Sequence, residues 1–306
     1  MSISALIRIA VCGVVLVACQ KAPGTGENNR PGPPGGDDDV KIRTIPVAGQ
    51  VSMLEGKGGN IGVFAGEDGV ILIDDQFENL VPEILKAVRA LGHGDPKYVI
   101  NTHWHGDHTG GNVALGKTAV IVAHDNVRER LATGWKRGDS EVEPIEKSGW
   151  PVITFRDSVK LYHSGEHLEV VHFGRGHTDG DSVVFFVGSN VVHMGDLYFN
   201  GRFPFIDLSS GGNVDDYLAA VDKVLERVED DTRIIPGHGK LSNKPELIEF
   251  RDMLVQTTGN VKKAMAGGKS LEQIKKAGLS KRYDDWGSGF VSTENWIETI
   301  YQSATN

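Results

Sequence analysis

Asn101-Thr102-His103-Trp104-His105-Gly106-Asp107-His108 follows directly on an apolar run, Lys97-Tyr98-Val99-Ile100, and its reading decides what kind of fold the chain builds. Three imidazoles and one carboxylate fall within the six positions 103–108. Alternate residues of an extended strand share a face, so His103 and His105 are expected to point at one ion. The chain then turns, and Asp107 and His108 are expected to reach a second ion beside the first. Neutral imidazole and carboxylate are ligands that zinc, iron and manganese accept. A chance surface cluster of histidines is the bland alternative, and an apolar approach strand argues against it.

Three further fragments carry ligand-type residues beside glycine. Gly174-Arg175-Gly176-His177-Thr178-Asp179-Gly180-Asp181 lies between two β-rich runs. Val191-Val192-His193-Met194-Gly195-Asp196 and Ile234-Ile235-Pro236-Gly237-His238-Gly239 each end an apolar run. Glycine at such places lets backbone approach a metal closely. Together the fragments offer His103, His105 and His177 to one ion and Asp107, His108 and His238 to another, with Asp196 shared.

The motif His103-x-His105-x-Asp107-His108, followed in order by His177, Asp196 and His238, resembles the metallo-β-lactamase superfamily, over roughly residues 45–238. The resemblance implies an α/β fold, a four-layer αβ/βα sandwich with a two-metal site at one edge between the sheets. It also implies a binuclear hydrolase, with zinc first and iron or manganese as alternatives. In that reading a metal-bound hydroxide attacks a carbonyl carbon, and Asp107 both binds metal and orients the nucleophile. The scissile bond is an ester, lactone, thioester or amide, a β-lactam included. Branches with a cysteine ligand carry it where Asp196 stands and a lysine three positions later, where this chain has Phe199. Asp196 instead resembles hydroxyacylglutathione hydrolases, lactonases and related esterases. Asp74 stands where the family often has a carboxylate behind the ligands. It is read either as orienting a ligand imidazole or as capping a loop.

The stretch 198–206, Tyr-Phe-Asn-Gly-Arg-Phe-Pro-Phe-Ile, follows the shared carboxylate and is expected to wall the cleft, with Asn200, Arg202 and Phe203 as substrate-binding candidates. Such a wall suits a small molecule with an apolar body and an anionic group. Trp104 and Trp135 are expected to pack in the core. His93, His124, His163, His167, His172 and His193 fall outside the motifs and are expected to be surface or packing residues. His193, three positions before Asp196, is the one to watch.

The 306 residues, 39% of them hydrophobic, allow one large core. A formal charge of −9 argues against nucleic acid as a partner, which needs a basic footprint. Residues 1–18 read as a signal peptide, too short in their apolar part to span a bilayer comfortably. Leu16-Val17-Ala18-Cys19 resembles a bacterial lipobox, with Cys19 lipidated. Residues 19–40 are expected to form the lipidated terminus and a disordered tether. Residues 41–306 then form the catalytic domain with a helical extension. Gln20, rather than Asp, follows the cysteine, and the resemblance to enterobacterial lipoproteins then implies the periplasmic face of the outer membrane.

Periodicity predicts strands over 45–54, 61–64 and 70–73, a helix over 80–91, and a strand over 120–123 with a helix running on to 131. A β-meander over 152–194 follows, then helices over 214–228 and 247–264 flanking a strand at 233–235. The region 270–300 shows one short helix pattern. Two other functions compete with the hydrolase. One is a mononuclear iron oxidoreductase resembling persulfide dioxygenases, using His103, His177 and Asp196. The other is a non-catalytic metal-binding lipoprotein.

Overall fold

The computed structural model describes residues 40–137 and 140–305. The expected signal segment, Cys19 and all of the tether except Val40 lie outside the described residues. Sheet one collects β1 (Arg43–Ala48), β2 (Val51–Glu55), β3 (Ile61–Gly66), β4 (Gly69–Ile73), β5 (Pro96–Ile100), β6 (Val120–His124) and, after the small β7 (Trp135–Arg137)/β8 (Ser140–Val142) hairpin, β9 (Ile153–Phe155). Its strands lie in that order, antiparallel up to β4 and parallel from β4 through β9. Sheet two runs β10 (Ser158–His163), β11 (Glu166–Val171), β12 (Val183–Phe186), β13 (Val191–His193), β14 (Arg233–Ile235) and β15 (Ser242–Asn243). Only the β13–β14 pair is parallel there. The helices are α1 (Val81–Arg89), the single turns α2 (Gly106–Thr109) and α3 (Asn112–Leu115), α4 (Asp125–Thr133), α5 (Val214–Leu225), α6 (Lys244–Ala266), α7 (Leu271–Ala277) and α8 (Thr293–Ser303).

Strand alternation sets the layers. Ile71, Ile73, Ile100 and Val122 of sheet one meet Leu168, Val170, Val184 and Phe186 of sheet two in a core between the sheets. Their strand neighbours Val70, Leu72, Val99 and Ile121 face outward and bury α1 through Val81, Ile84 and Val88, with Leu80 just before it. On the far side Val183, Phe185, Val192 and Ile234 bury α5, α6 and α8. In α5 the buried residues are Val214, Tyr217, Ala220, Val221 and Val224, a stripe at helical spacing. The result is the expected helix–sheet–sheet–helix order.

Three expectations about elements need correction. The run 45–54 is two strands, because Gly49 takes a positive φ of 55° and turns the chain into a β1–β2 hairpin. The meander at 152–194 is split: β9 pairs with β6 in sheet one, and the antiparallel meander begins only at β10. The region 270–300 holds two helices, α7 and α8, rather than one, with Trp296 fully buried and its indole N–H donating to Thr257 Oγ1 at 3.0 Å. Among the described residues no helix is long and apolar enough to cross a membrane.

The two sheets are clipped at their hairpin ends. Asp68 N–H donates to Ser164 Oγ at 2.7 Å and Ser164 N–H to Asp68 Oδ2 at 2.8 Å. At the opposite end β4, β5, β13 and β14 present their C-terminal ends side by side, and every candidate ligand lies in the loops that leave those ends or in the β11–β12 connection.

Candidate metal centre

The loops bring all seven candidate ligands into two adjoining groups. Ligand atoms of His103, His105, His177 and Asp196 all lie within 4.8 Å of one another, and so do those of Asp107, His108 and His238. The expected strand alternation does not bring His103 and His105 together, because β5 ends at Ile100, His103 sits in a bend and His105 is the extended residue that caps α2. That bend sets their rings perpendicular, with centroids 4.9 Å apart. Asp196 lies between the groups. Its Oδ2 is 3.4 Å from His177 Nε2 and 3.8 Å from His103 Nε2, and its Oδ1 is 3.1 Å from His108 Nε2 and 3.4 Å from His238 Nε2.

The fit to cations follows from where the ring protons go. His177 Nδ1–H donates to Phe205 O at 2.6 Å, and His105 Nε2–H to Asp207 Oδ2 at 3.0 Å. His108 Nδ1–H donates to Asp74 Oδ2 at 2.8 Å. The Thr102 hydroxyl gives its proton to Asp74 Oδ2 at 2.8 Å, so its oxygen accepts from His103 Nδ1–H at 3.0 Å. Each of these imidazoles therefore turns a lone pair inward, the arrangement by which outer partners orient metal-binding histidines. His105 Nδ1 and His177 Nε2 then face each other at 2.7 Å, and His103 Nε2 and Asp196 Oδ1 are buried without a hydrogen bond. Inward lone pairs this close repel unless a cation lies among them.

Electrostatics agrees. Burial, with the His108 charge nearby, pushes His103 well below the ordinary imidazole range, and burial takes His177 down to about 4. Both are neutral at pH 7, as a ligand must be. In the second group burial opposes charge on His108, but Asp196, Asp107 and Asp74 outweigh it and raise that imidazole well above 6.5. His238 likewise rises against burial to about 9, through Asp196 and then Asp107. The carboxylates thus call for positive charge at the second group, which a divalent ion can supply. Burial would raise the Asp107 carboxyl, but His108 and His238 bring it down to about 2.

Two glycines are fixed by close approach. A Cβ on Gly59 would lie 2.1 Å from His108 Cε1, and one on Gly237 would lie 2.1 Å from Asp196 Oδ1. These glycines make room for ligand side chains rather than for metal itself. Asn60, buried next to Gly59, clasps the His238 loop. Its amide donates to Pro236 O and Gly239 O, both at 2.9 Å, and its backbone N–H to Gly237 O at 2.7 Å.

Asp74 has the orienting place, since both oxygens are spent on His108 and Thr102. His193 is no ligand: its ring bridges Asn60 O and the Gly195 N–H. His124 and His172 stack on each other at 4.2 Å, away from the two groups. Trp104 and Trp135 pack together as expected, with centroids 4.6 Å apart. The cleft-wall candidates fare differently. Phe203 is 1% exposed and stacks on Trp296, so it faces the core and not the cleft. The Asn200 amide is spent on Lys240 O and Glu246. Arg202 is half-buried and makes no ion pair among the described residues. Sequence reasoning missed Asp207, Thr102 and Asn60. Asp207 carries a local signal, a capping carboxylate before Leu208-Ser209-Ser210, but nothing local links it to His105, 102 positions away.

The sequence model described as the metallo-beta-lactamase superfamily matches residues 54–238. A metallo-beta-lactamase type 2 from Bacillus sp. (strain 170) is 25% identical over 189 residues, 61% of this chain and 68% of that protein. A hydroxyacylglutathione hydrolase from Polaromonas sp. is 30% identical over 147 residues, 47% of this chain and 49% of that protein, so the match spans about half its length. Among solved structures, the metallo-beta-lactamase from Pontibacter korlensis superposes with a TM-score of 0.59 at 18% identity, over 70% of this chain and 99% of that one. A sec-alkylsulfatase from Pseudomonas sp. reaches 0.65 at 17% identity, over 85% of this chain and 50% of that one. These last two likenesses speak for the fold.

Proposed function

The chain belongs to the metallo-β-lactamase superfamily, and on that premise we propose that it is a metal-dependent hydrolase of a small molecule, acting with two divalent ions, zinc first, on an ester, lactone, thioester or amide bond. The observation that carries this reading is Asp196, with one oxygen turned to each of two groups of candidate ligands, and with its Oδ1 and His103 Nε2 buried without a hydrogen bond. The β-lactamase and hydroxyacylglutathione hydrolase relatives support hydrolysis without choosing the substrate.

Two divalent ions would supply Lewis acidity at the substrate oxygen and hydroxide at neutral pH, by lowering the pKa of water to about 7. The rest falls to the chain. Asp107 is the most exposed of the ligand carboxylates, its side chain 30% accessible, and it stays ionised far below neutrality. It is therefore placed to accept a hydrogen bond from water at the rim and to orient it, rather than to hold its proton. Asp74, Thr102, Asp207 and Phe205 O fix the tautomers of His108, His103, His105 and His177. Phe199 stacks flat on His238 at 5.1 Å and shields that side from water. There is no cysteine among the described residues, and the reading uses no thiol nucleophile.

The mononuclear iron alternative would leave Asp107, His108 and His238 without a role, and their convergence supports the two-ion reading instead. Metal per chain, measured alongside turnover of a chromogenic cephalosporin, a lactone and a thioester, is the test. Two ions and chelator-sensitive turnover are expected. One iron with oxygen uptake, or full loading with no turnover of any of the three, would overturn it. The N-terminal segment supports a second proposal: the protein is exported and held by lipid on Cys19, facing the periplasm from the outer membrane.

A further inference from the structure

Two aromatic rings beside the first ligand group have too little cover for a core and too much contact for chance. Phe205 is 38% exposed, and its ring lies 5.8 Å from His177 and 6.0 Å from His105. Its position is locked from behind, because its carbonyl accepts the His177 Nδ1–H. Phe290 is 82% exposed and meets Phe205 edge to face at 5.8 Å. A phenyl ring so accessible forgoes most of the stabilisation its burial would bring.

Phe290 comes from the segment between α7 and α8, outside residues 54–238, yet it is fastened to the cleft loop. Phe203 N–H donates to Trp286 O at 3.1 Å, Phe203 packs on Trp286 and Trp296, and a Cβ on Gly289 would touch the Arg202 stem at 3.5 Å. The C-terminal extension is thereby braced against the cleft at the one place where its aromatic ring is left open.

We infer that Phe290 and Phe205 form the subsite for the apolar arm of the substrate, an aryl or branched alkyl group attached next to the bond that is cut. This rests on the hydrolase reading above, and it narrows the substrate class. An exposed apolar patch continuous with a polar, convergent site is how small-molecule sites gain selectivity. Phe290 acts on which substrate is held and takes no part in the bond change.

The test compares wild type, Phe290→Ala and Phe290→Leu in the full metal-loaded chain. One readout is the ratio of kcat/KM for para-nitrophenyl phenylacetate over para-nitrophenyl acetate. The other, independent of turnover, is the ratio of Kd values for para-fluorophenylacetate and trifluoroacetate by fluorine NMR. Phe290→Ala is expected to lower the aryl preference about tenfold in both, with Phe290→Leu recovering most of it. Equal changes for both members of each pair, or none, would overturn the subsite. Loss of a dimer in light scattering with unchanged ratios would make the patch a self-association face, and would overturn it too. No turnover by wild type of these esters or of the cephalosporin, lactone and thioester, with aryl binding still dependent on Phe290, would sink the hydrolase reading and leave the aryl subsite standing.

Discussion

His238 shows how much of this site depends on residues that touch no ligand atom. Its loop is gripped by three hydrogen bonds from Asn60, whose own carbonyl accepts from His193. Asn60→Ala would leave Pro236 O and Gly239 O short of donors and free His238 to swing. We expect affinity for one of the two ions to fall about 10–100-fold, the usual cost of losing such a support. Competition with a chromogenic chelator would read it, and two ions held at unchanged affinity would show that Asn60 is incidental. Asp107→Asn tests the neighbouring residue differently. An amide lacks the negative charge with which the carboxylate would bind an ion and orient water, so turnover should fall about 10²-fold or more while the first group keeps its ion. Unchanged kcat would remove Asp107 from the chemistry. The seven candidate ligands were legible because they sit in short motifs. Thr102, Asp207 and Asn60 were not, because their roles exist only once distant loops meet.

At the scale of elements, the apolar stretch 198–206 divides by direction. Phe199 and Phe203 turn inward and Phe205 outward, a pattern without a strand or helix period that a sequence could announce. Phe203 is the pin between this loop and the C-terminal helices. Phe203→Ala should cost about 3–5 kcal/mol, the range for an emptied aromatic site, and loosen α8 from the body. Urea unfolding, with limited proteolysis of the 270–305 region, would measure both. A loss below about 1 kcal/mol would mean the helices are held elsewhere. The hairpin at Gly49 and the split of the expected meander went unread for a related reason. Apolar alternation continues across both places, while the break in one is a single φ and in the other a choice of partner strand.

For the whole molecule, a layered α/β chain was legible from the alternation of strands and amphipathic helices, since each apolar face admits few partners, whereas the four-layer sandwich followed from the family resemblance that the His and Asp motifs carry. Ion binding should hold this assembly together. At free metal about 1,000-fold above Kd, each site adds about 4 kcal/mol to the folded state, so stripping the ions should lower Tm on the order of 10 °C. Calorimetry before and after exhaustive chelation would show it, and an unmoved Tm would mean that the ligand loops carry no ion. Cys19→Ala is the corresponding test of the anchor. Label from a radioactive fatty acid should vanish and the protein should leave the membrane fraction, with the specific activity of the soluble domain unaltered. A variant that still took up label would disprove lipidation at that residue.

Each of the two ligand groups draws on both sheets. His103, His105, Asp107 and His108 leave sheet one, whereas His177, Asp196 and His238 belong to loops of sheet two. In evolutionary terms the two halves of the chain are therefore heritable only as a matched pair. A hybrid joining the first half of this protein to the second half of a distant relative could keep all seven ligands and both sheets. It would still lose the centre if the sheets met an ångström or so out of step, because neither half owns a complete set of ligands for even one ion.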